Sequence, residues 1–365
     1  AMVEFADEND LAAVGHVFAW HQQTPDWMTS DCTRDEAIQR LRTHINTVAG
    51  RYAGKLISWD VVNEAIEDGA KLPENGDWKS CLRKGGWYDA IGDDYIELAF
   101  TFAHEADPNA KLYYNDYNLN DQNKAEIAAA MFKDLKSKGI PMDGIGMQAH
   151  YNVNLTTEMV ERSIQMFEEA GAEISVTELD VTVNGADPAG LTEEQEIAQA
   201  QVYAELFRIY KEHASSIARV TFWGIDDAHS WRKESFPCLF NRDYSPKEAY
   251  CAVVDPDSYL EEHPRAEIPE PNQLTAAYGT AVVDGVVDEA WDAAESGSVN
   301  IMTMAWQGAT AKVRALWDEN AVYVLMDVTD SVLNADSVNA HEQDSVEVFI
   351  DENNAKTPYY EDDDG

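Results

Sequence analysis

Apolar and polar positions change rhythm twice along this chain. Short apolar runs at 14–20, 57–62, 111–115, 144–149, 174–179 and 220–225 alternate with longer amphipathic stretches such as 124–138 and 193–213. Runs this short, with little internal alternation, fit strands buried on both faces, and the stretches between them carry a helical period. The repeat is βα, which calls for a parallel sheet with helices packed outside it. Six strands can be counted, whereas a closed barrel of this kind has eight.

From about residue 259 the pattern changes. Proline and charge dominate 260–271, so 259–273 reads as a semi-rigid linker. Beyond it, 282–287, 310–316, 321–328 and 345–350 are short, β-branched runs separated by turn residues, which predicts an all-β sandwich over 274–365. The expected division is therefore a barrel over 1–258, a linker and a sandwich.

Charge narrows the partners. With 26 Lys and Arg against 68 Asp and Glu, the net charge is −42, which opposes binding to nucleic acid or an anionic membrane surface. A neutral polysaccharide is compatible with it. No apolar run approaches the ~20 residues that span a bilayer, and the N-terminus lacks the basic segment of a signal peptide. Cys32, Cys81, Cys238 and Cys251 allow three complete pairings or four free thiols.

Two strand-like runs, one ending Trp59-Asp60-Val61-Val62-Asn63-Glu64 and the other Ser175-Val176-Thr177-Glu178, lead into glutamates. In a parallel barrel the reacting groups belong at the carboxyl ends of the strands. Hydrolysis of a glycosidic bond needs one carboxyl to protonate the leaving oxygen and another to attack or stabilise an oxocarbenium-like centre. Taken singly, Glu64 reads equally well as a neighbour of a helix-capping Asn63, and Glu178 as a solvated strand end. The pair, on different strands, carries the reading.

The words around these glutamates closely resemble glycoside hydrolase family 10. Gly15-His16 through Trp20-His21-Gln22-Gln23-Thr24-Pro25, Trp59 to Ala65, Tyr114-Asn115-Asp116-Tyr117-Asn118, Gly146-Met147-Gln148-Ala149-His150, Thr177-Glu178-Leu179-Asp180 and Trp223-Gly224-Ile225-Asp226-Asp227 follow that family's order over roughly 1–255. The resemblance implies a retaining endo-β-1,4-xylanase on a (β/α)₈ TIM barrel. It also implies that the barrel lacks its first two strands here, with the glycone contacts they carry. A chain cut in this way is expected to fold poorly or be inactive alone.

By the same match, Glu178 is the expected nucleophile and Glu64 the acid and then base. Asn63 is expected to meet the sugar 2-hydroxyl, and His150, held by Asp180, to support the nucleophile. His16, Trp20, His21, Tyr117, Gln148, Trp223 and Trp231 are expected sugar contacts, because sugar C–H faces are apolar while their rims carry hydroxyls. The chain departs from the family's usual pattern at Val14, where an arginine is common, and at Glu248, where a proline is common.

No cofactor or metal is implied. His16 and His21 stand five apart, a spacing expected to put them on opposite faces of a strand. Segments 283–291, 315–324 and 343–351 resemble a family 9 carbohydrate-binding module, incomplete at the end of this sequence. Together the two resemblances imply a secreted enzyme acting on xylan and xylo-oligosaccharides, its C-terminal module binding plant cell-wall polysaccharide. A non-catalytic glycan-binding remnant and a retaining barrel enzyme acting on β-1,4-glucan are the alternatives.

Overall fold

The computed structural model describes residues 1–265, 274–299 and 310–329, together with 345, 346 and 348. They divide into two compact units, 1–265 and 266–365.

In the first unit, strands β1 (Val14–Trp20), β2 (Ser58–Asn63), β3 (Lys111–Asp116), β4 (Gly144–Met147), β5 (His150–Asn152), β6 (Glu173–Thr182) and β7 (Ile217–Phe222) form one parallel sheet. Their order is β1-β2-β3-β4-β6-β5, with β7 also on β6. Every residue of β2 and β4 is buried, which is why these strands read as continuous rather than alternating runs. Strand β7 contains no fully buried residue. It, β1 and the short β5 each have one strand neighbour among the described residues.

Between the strands lie helices α1 (Met2–Glu8), α2 (Asp26–Thr29), α3 (Arg34–Tyr52), α4 (Trp87–Ile91), α5 (Tyr95–Ala106), α6 (Gln122–Ser137), α7 (Thr157–Ala170), α8 (Glu193–Glu212), α9 (Glu248–Val254) and α10 (Pro256–Glu262). Helix α3 shows the sequence logic. Thr33 and Glu36 form a reciprocal capping box, and Ala37, Leu41, Ile45 and Ala49 recur every four residues on the buried face. Helix α8 starts with the same device, Thr192 with Gln195.

Three boundaries differ from expectation. The run 144–149 is a strand only to Met147, and Ala149 adopts a left-handed backbone (φ +64°) before β5 begins at His150. The run 220–225 begins and ends earlier, at Ile217–Phe222, and Gly224 at φ +139° takes the chain out of the sheet. The linker does not start at 259. Asp255 caps α10, Pro256 occupies its first turn, and the helix continues to Glu262.

In the second unit, β8 (Ala277–Tyr278), β9 (Gly297–Val299), β10 (Thr310–Trp317) and β11 (Val322–Thr329) form a sheet centred on β10, around a small core of Ala281, Trp291 and Leu316. The runs predicted at 310–316 and 321–328 are its two long strands, paired antiparallel. Residues 282–287 are not a strand. Asp284 accepts from Val286 N, Gly285 sits at φ +82°, and Asp288 caps a short 3₁₀ turn that buries Trp291. Most of the run 345–350 lies outside the described residues.

All four cysteines are free, and Cys81 and Cys238 are buried. Among the described residues no helix is long and apolar enough to cross a membrane.

Candidate active site

Strands β2, β3, β4 and β6 bring their carboxyl ends to one cavity of about 620 Å³. Its walls include His16, Trp20, Asn63, Glu64, Tyr117, Gln148, His150, Glu178, Trp223 and Trp231. Those ten were singled out in the sequence. Of the remaining two, Asp180 lies behind His150, and His21 stands beside Glu64 with Nδ1 3.9 Å from Oε2.

Glu64 is the first residue beyond β2, and its backbone is left-handed at φ +55°. For a residue with a side chain that conformation costs on the order of 1–3 kcal/mol. Its side chain is well held. Oε1 accepts from Gln148 Nε2 at 2.9 Å and from Asn63 Nδ2 at 3.1 Å, while Oε2 accepts from Trp20 Nε1 at 2.8 Å.

Glu178 is not at the end of its strand, as the sequence suggested. Strand β6 continues to Thr182, because its last turns pair with β5, His150 opposite Asp180. It still faces the cavity beside Glu64. Oε1 accepts from Asn115 Nδ2 at 3.0 Å, and His150 Nε2 lies 3.2 Å from Oε2.

The other ring nitrogen of His150, Nδ1, is 3.0 Å from Asp180 Oδ1, a charge contact too oblique for a good hydrogen bond. Burial opposes a charged ring, but Asp180 and Glu178 outweigh it and raise the His150 pKa above its ordinary value. Trp231 donates Nε1–H to Asp180 Oδ2 at 2.9 Å and packs its ring 4.9 Å from the His150 ring. Trp223 and Trp231 both remain substantially exposed, as a sugar-stacking surface requires.

Asn115 is the residue that sequence reading passed over. Its Nδ2 also reaches Asn63 Oδ1 at 3.0 Å, and its Oδ1 accepts from Thr177 Oγ1 at 2.7 Å. Gln148 Nε2 closes the network on Asn63 Oδ1 at 3.2 Å. A side chain on Gly146 would not fit here, since its Cβ would fall 2.5 Å from Asn115 Oδ1. The available signal was register: Asn115 lies opposite Asn63, one strand over.

The opposite-face argument for His16 and His21 fails. The register of β1 against β2 shifts between His16 and Ala19, and the strand ends at Trp20, so both rings come to the Glu64 side. His16 Nδ1 pairs with Asp60 Oδ2 at 3.1 Å. Among the described residues no group of three His, Cys, Asp or Glu could hold a metal ion.

Tyr117 hangs over a charge cluster in which Lys124 and Asp116 are buried and Asp68 is exposed. Lys124, in the first turn of α6, places Nζ 3.7 Å from the Tyr117 ring centre, 3.0 Å from Asp116 Oδ1 and 3.1 Å from Asp68 Oδ1. Arg83 donates to the Tyr117 hydroxyl at 2.9 Å, and that hydroxyl donates to Asp68. Burial pushes the Asp116 carboxyl up to about 6 despite the pull of Lys124 and Tyr114.

The family model for glycosyl hydrolase family 10 matches residues 1–256, and that for the carbohydrate family 9 binding domain-like family matches 283–365. Endo-1,4-beta-xylanase A of Thermotoga neapolitana is 38% identical over 99% of this chain and 33% of its own length. Beta-1,4-xylanase of Dictyoglomus thermophilum is 41% identical over 69% of this chain and 73% of its own. The native crystal structure of CbXyn10B superposes with a TM-score of 0.65 at 37% identity, covering 70% of this chain and 80% of that one. Several of the curated relatives are much longer, and the chain spans about a third to a half of their length.

Proposed function

The chain belongs to glycosyl hydrolase family 10 through residues 1–256, and from that membership we propose that it hydrolyses β-1,4-xylosidic bonds within xylan and xylo-oligosaccharides, with retention of configuration. The observation that carries this reading is the single cavity in which Glu64 and Glu178 are linked through Asn63, Asn115 and Gln148.

Glu178 attacks the anomeric carbon as the glycosidic C–O bond breaks, and the departing oxygen takes a proton from Glu64. Oε1 of Glu64 accepts from two amides and Oε2 from one indole N–H, so Oε2 is the less engaged oxygen and the one placed to carry that proton. In the second step Glu64, now a carboxylate, takes a proton from water, and the hydroxide oxygen displaces Glu178 from the sugar. Asn63 meets the 2-hydroxyl, while Trp20, Trp223 and Trp231 supply apolar faces to the sugar rings. Tyr117, Gln148, His16 and His21 complete the binding surface, and His150 with Asp180 orients the nucleophile.

The test is proton NMR of the first sugar released from xylohexaose. A β-anomer supports retention; an α-anomer overturns it. Xylan should be preferred over cellulose, because a hydroxymethyl group in a shaped pocket costs about 1–3 kcal/mol, some 10–200-fold in kcat/KM. Equal rates on xylo- and cello-oligosaccharides would favour the β-glucan alternative. Binding with no turnover would favour the non-catalytic remnant.

The second unit is proposed to hold the chain to plant cell-wall polysaccharide, in keeping with its similarity to carbohydrate family 9 binding domains. An insoluble polymer outside the cell is the setting in which such an attachment works, so an extracellular location is part of the proposal.

A further inference from the structure

Glu64 takes a left-handed backbone that its side chain disfavours, so something must hold the peptide unit that follows it, Glu64–Ala65, by its amide and by its carbonyl. On the amide side stands Tyr114. Its buried hydroxyl accepts from Ala65 N at 3.0 Å and from Ile66 N at 3.1 Å, the two amides that follow Glu64. The same hydroxyl donates to Asp116 Oδ2. On the carbonyl side Arg83 Nε donates to Glu64 O at 3.3 Å.

Asp116 is fully buried and ties this relay to the cavity wall. Its Oδ1 accepts from Tyr117 N at 2.9 Å and faces Lys124 Nζ at 3.0 Å. A carboxylate accepting from a phenol makes that phenol oxygen a better acceptor in turn, because hydrogen bonds in series polarise one another. Neither Tyr114 nor Asp116 lines the cavity. Their buried polar atoms have no part in substrate contact, yet the Tyr114 hydroxyl, and Asp116 Oδ2 through it, act on the backbone that follows Glu64.

We propose that Tyr114 and Asp116 are positioning residues that fix Glu64 as the proton donor, acting through the amides of Ala65 and Ile66. The inference rests on the reading of Glu64 as the acid. It goes beyond that reading by assigning Glu64's aim to two side chains that touch neither substrate nor the reacting atoms.

The experiment uses the full chain with Tyr114→Phe and, separately, Asp116→Asn. The substrates are two aryl β-xylobiosides, one with phenolate and one with 2,4-dinitrophenolate as leaving group. Dinitrophenolate departs without a proton, whereas phenolate needs one from Glu64. Each variant should lose at least about tenfold more kcat/KM on the phenyl substrate than on the dinitrophenyl one. A merely structural role would lower both equally, and equal losses, or none, overturn the proposal. Asp116→Asn keeps an acceptor for Tyr114, so it gives the answer if Tyr114→Phe fails to fold.

Hydrogen exchange supplies a readout independent of turnover. The Ala65 and Ile66 amides should exchange at least about tenfold faster in Tyr114→Phe than in the unaltered chain, with Val61 and Val62 unchanged. If the unaltered chain cleaves neither substrate, this exchange measurement alone decides whether the relay holds the Glu64 backbone. Unchanged exchange at Ala65 and Ile66 overturns it.

Discussion

Trp20 donates its indole N–H to Oε2 of Glu64 at 2.8 Å, so the edge strand β1 aims the side chain that immediately follows β2. Replacing Trp20 with Phe keeps an apolar ring against the sugar and deletes the bond. A hydrogen bond to an ionisable group contributes about 1.5–3 kcal/mol, which corresponds to roughly a 10–100-fold loss of kcat if it acts on the reacting geometry. The split between kcat and KM is the measurement. A change in KM alone would assign Trp20 to binding only.

The two glutamates should part company in azide. Glu178→Ala removes the attacking group, so azide enters from the vacated face and the product is an α-xylosyl azide. Glu64→Ala keeps the covalent step, and azide then intercepts the xylosyl-enzyme to give the β-azide. Loss of general acid catalysis at Glu64 should cost about 10²–10⁴-fold on substrates with poor leaving groups. Product stereochemistry from each variant checks the assignment, and the same anomer from both would refute it.

His150 should make stability depend on pH with a definite sign. Its native pKa lies above the unfolded value, since Asp180 and Glu178 outweigh the opposing effect of burial. The native state therefore holds the proton more tightly. That contribution is complete below the unfolded value of about 6.5 and disappears as pH rises through the raised native value. His16 and His213 are raised too, so the unaltered chain carries all three effects. Tm measured against pH should fall less steeply through this range in His150→Asn than in the unaltered chain. Parallel curves would show that His150 is not responsible.

Strand ends carrying chemistry were readable because buried parallel strands leave an unbroken apolar signature, and polar residues closing such a run stand out. Asn115 did not stand out, since it closes a run that the eye takes as structural, and only its register with Asn63 places it between the glutamates. The interruption at Ala149 has no propensity signal, because alanine gives no warning of a left-handed backbone held by tertiary contacts. The reverse error occurred at 282–287, where flanking valines outweighed the Asp284-Gly285 turn signal. His16 and His21 show the limit of period-two reasoning: a register shift inside β1 cancels it.

Asp227 closes the last of the family-like blocks, yet the structure gives it a structural task. Its Oδ2 pairs with Lys247 Nζ at 3.1 Å, both side chains almost wholly buried, and its Oδ1 accepts from Cys238 N at 2.8 Å. Lys247 also donates to Phe236 O at 2.7 Å. Burial raises the Asp227 pKa and lowers that of Lys247, each partly offset by the partner, so neither charge is comfortable without the other. Asp227→Leu should therefore cost about 3–5 kcal/mol by stranding a buried ammonium, and Lys247→Met should cost a similar amount by stranding a carboxylate. Replacing both, Asp227→Leu with Lys247→Met, removes the desolvation penalty together with the attraction and should recover most of the loss. Urea unfolding of the chain, its two single variants and the double variant measures the coupling. Additive losses would mean that the ion pair is not what holds the 227–247 segment in place.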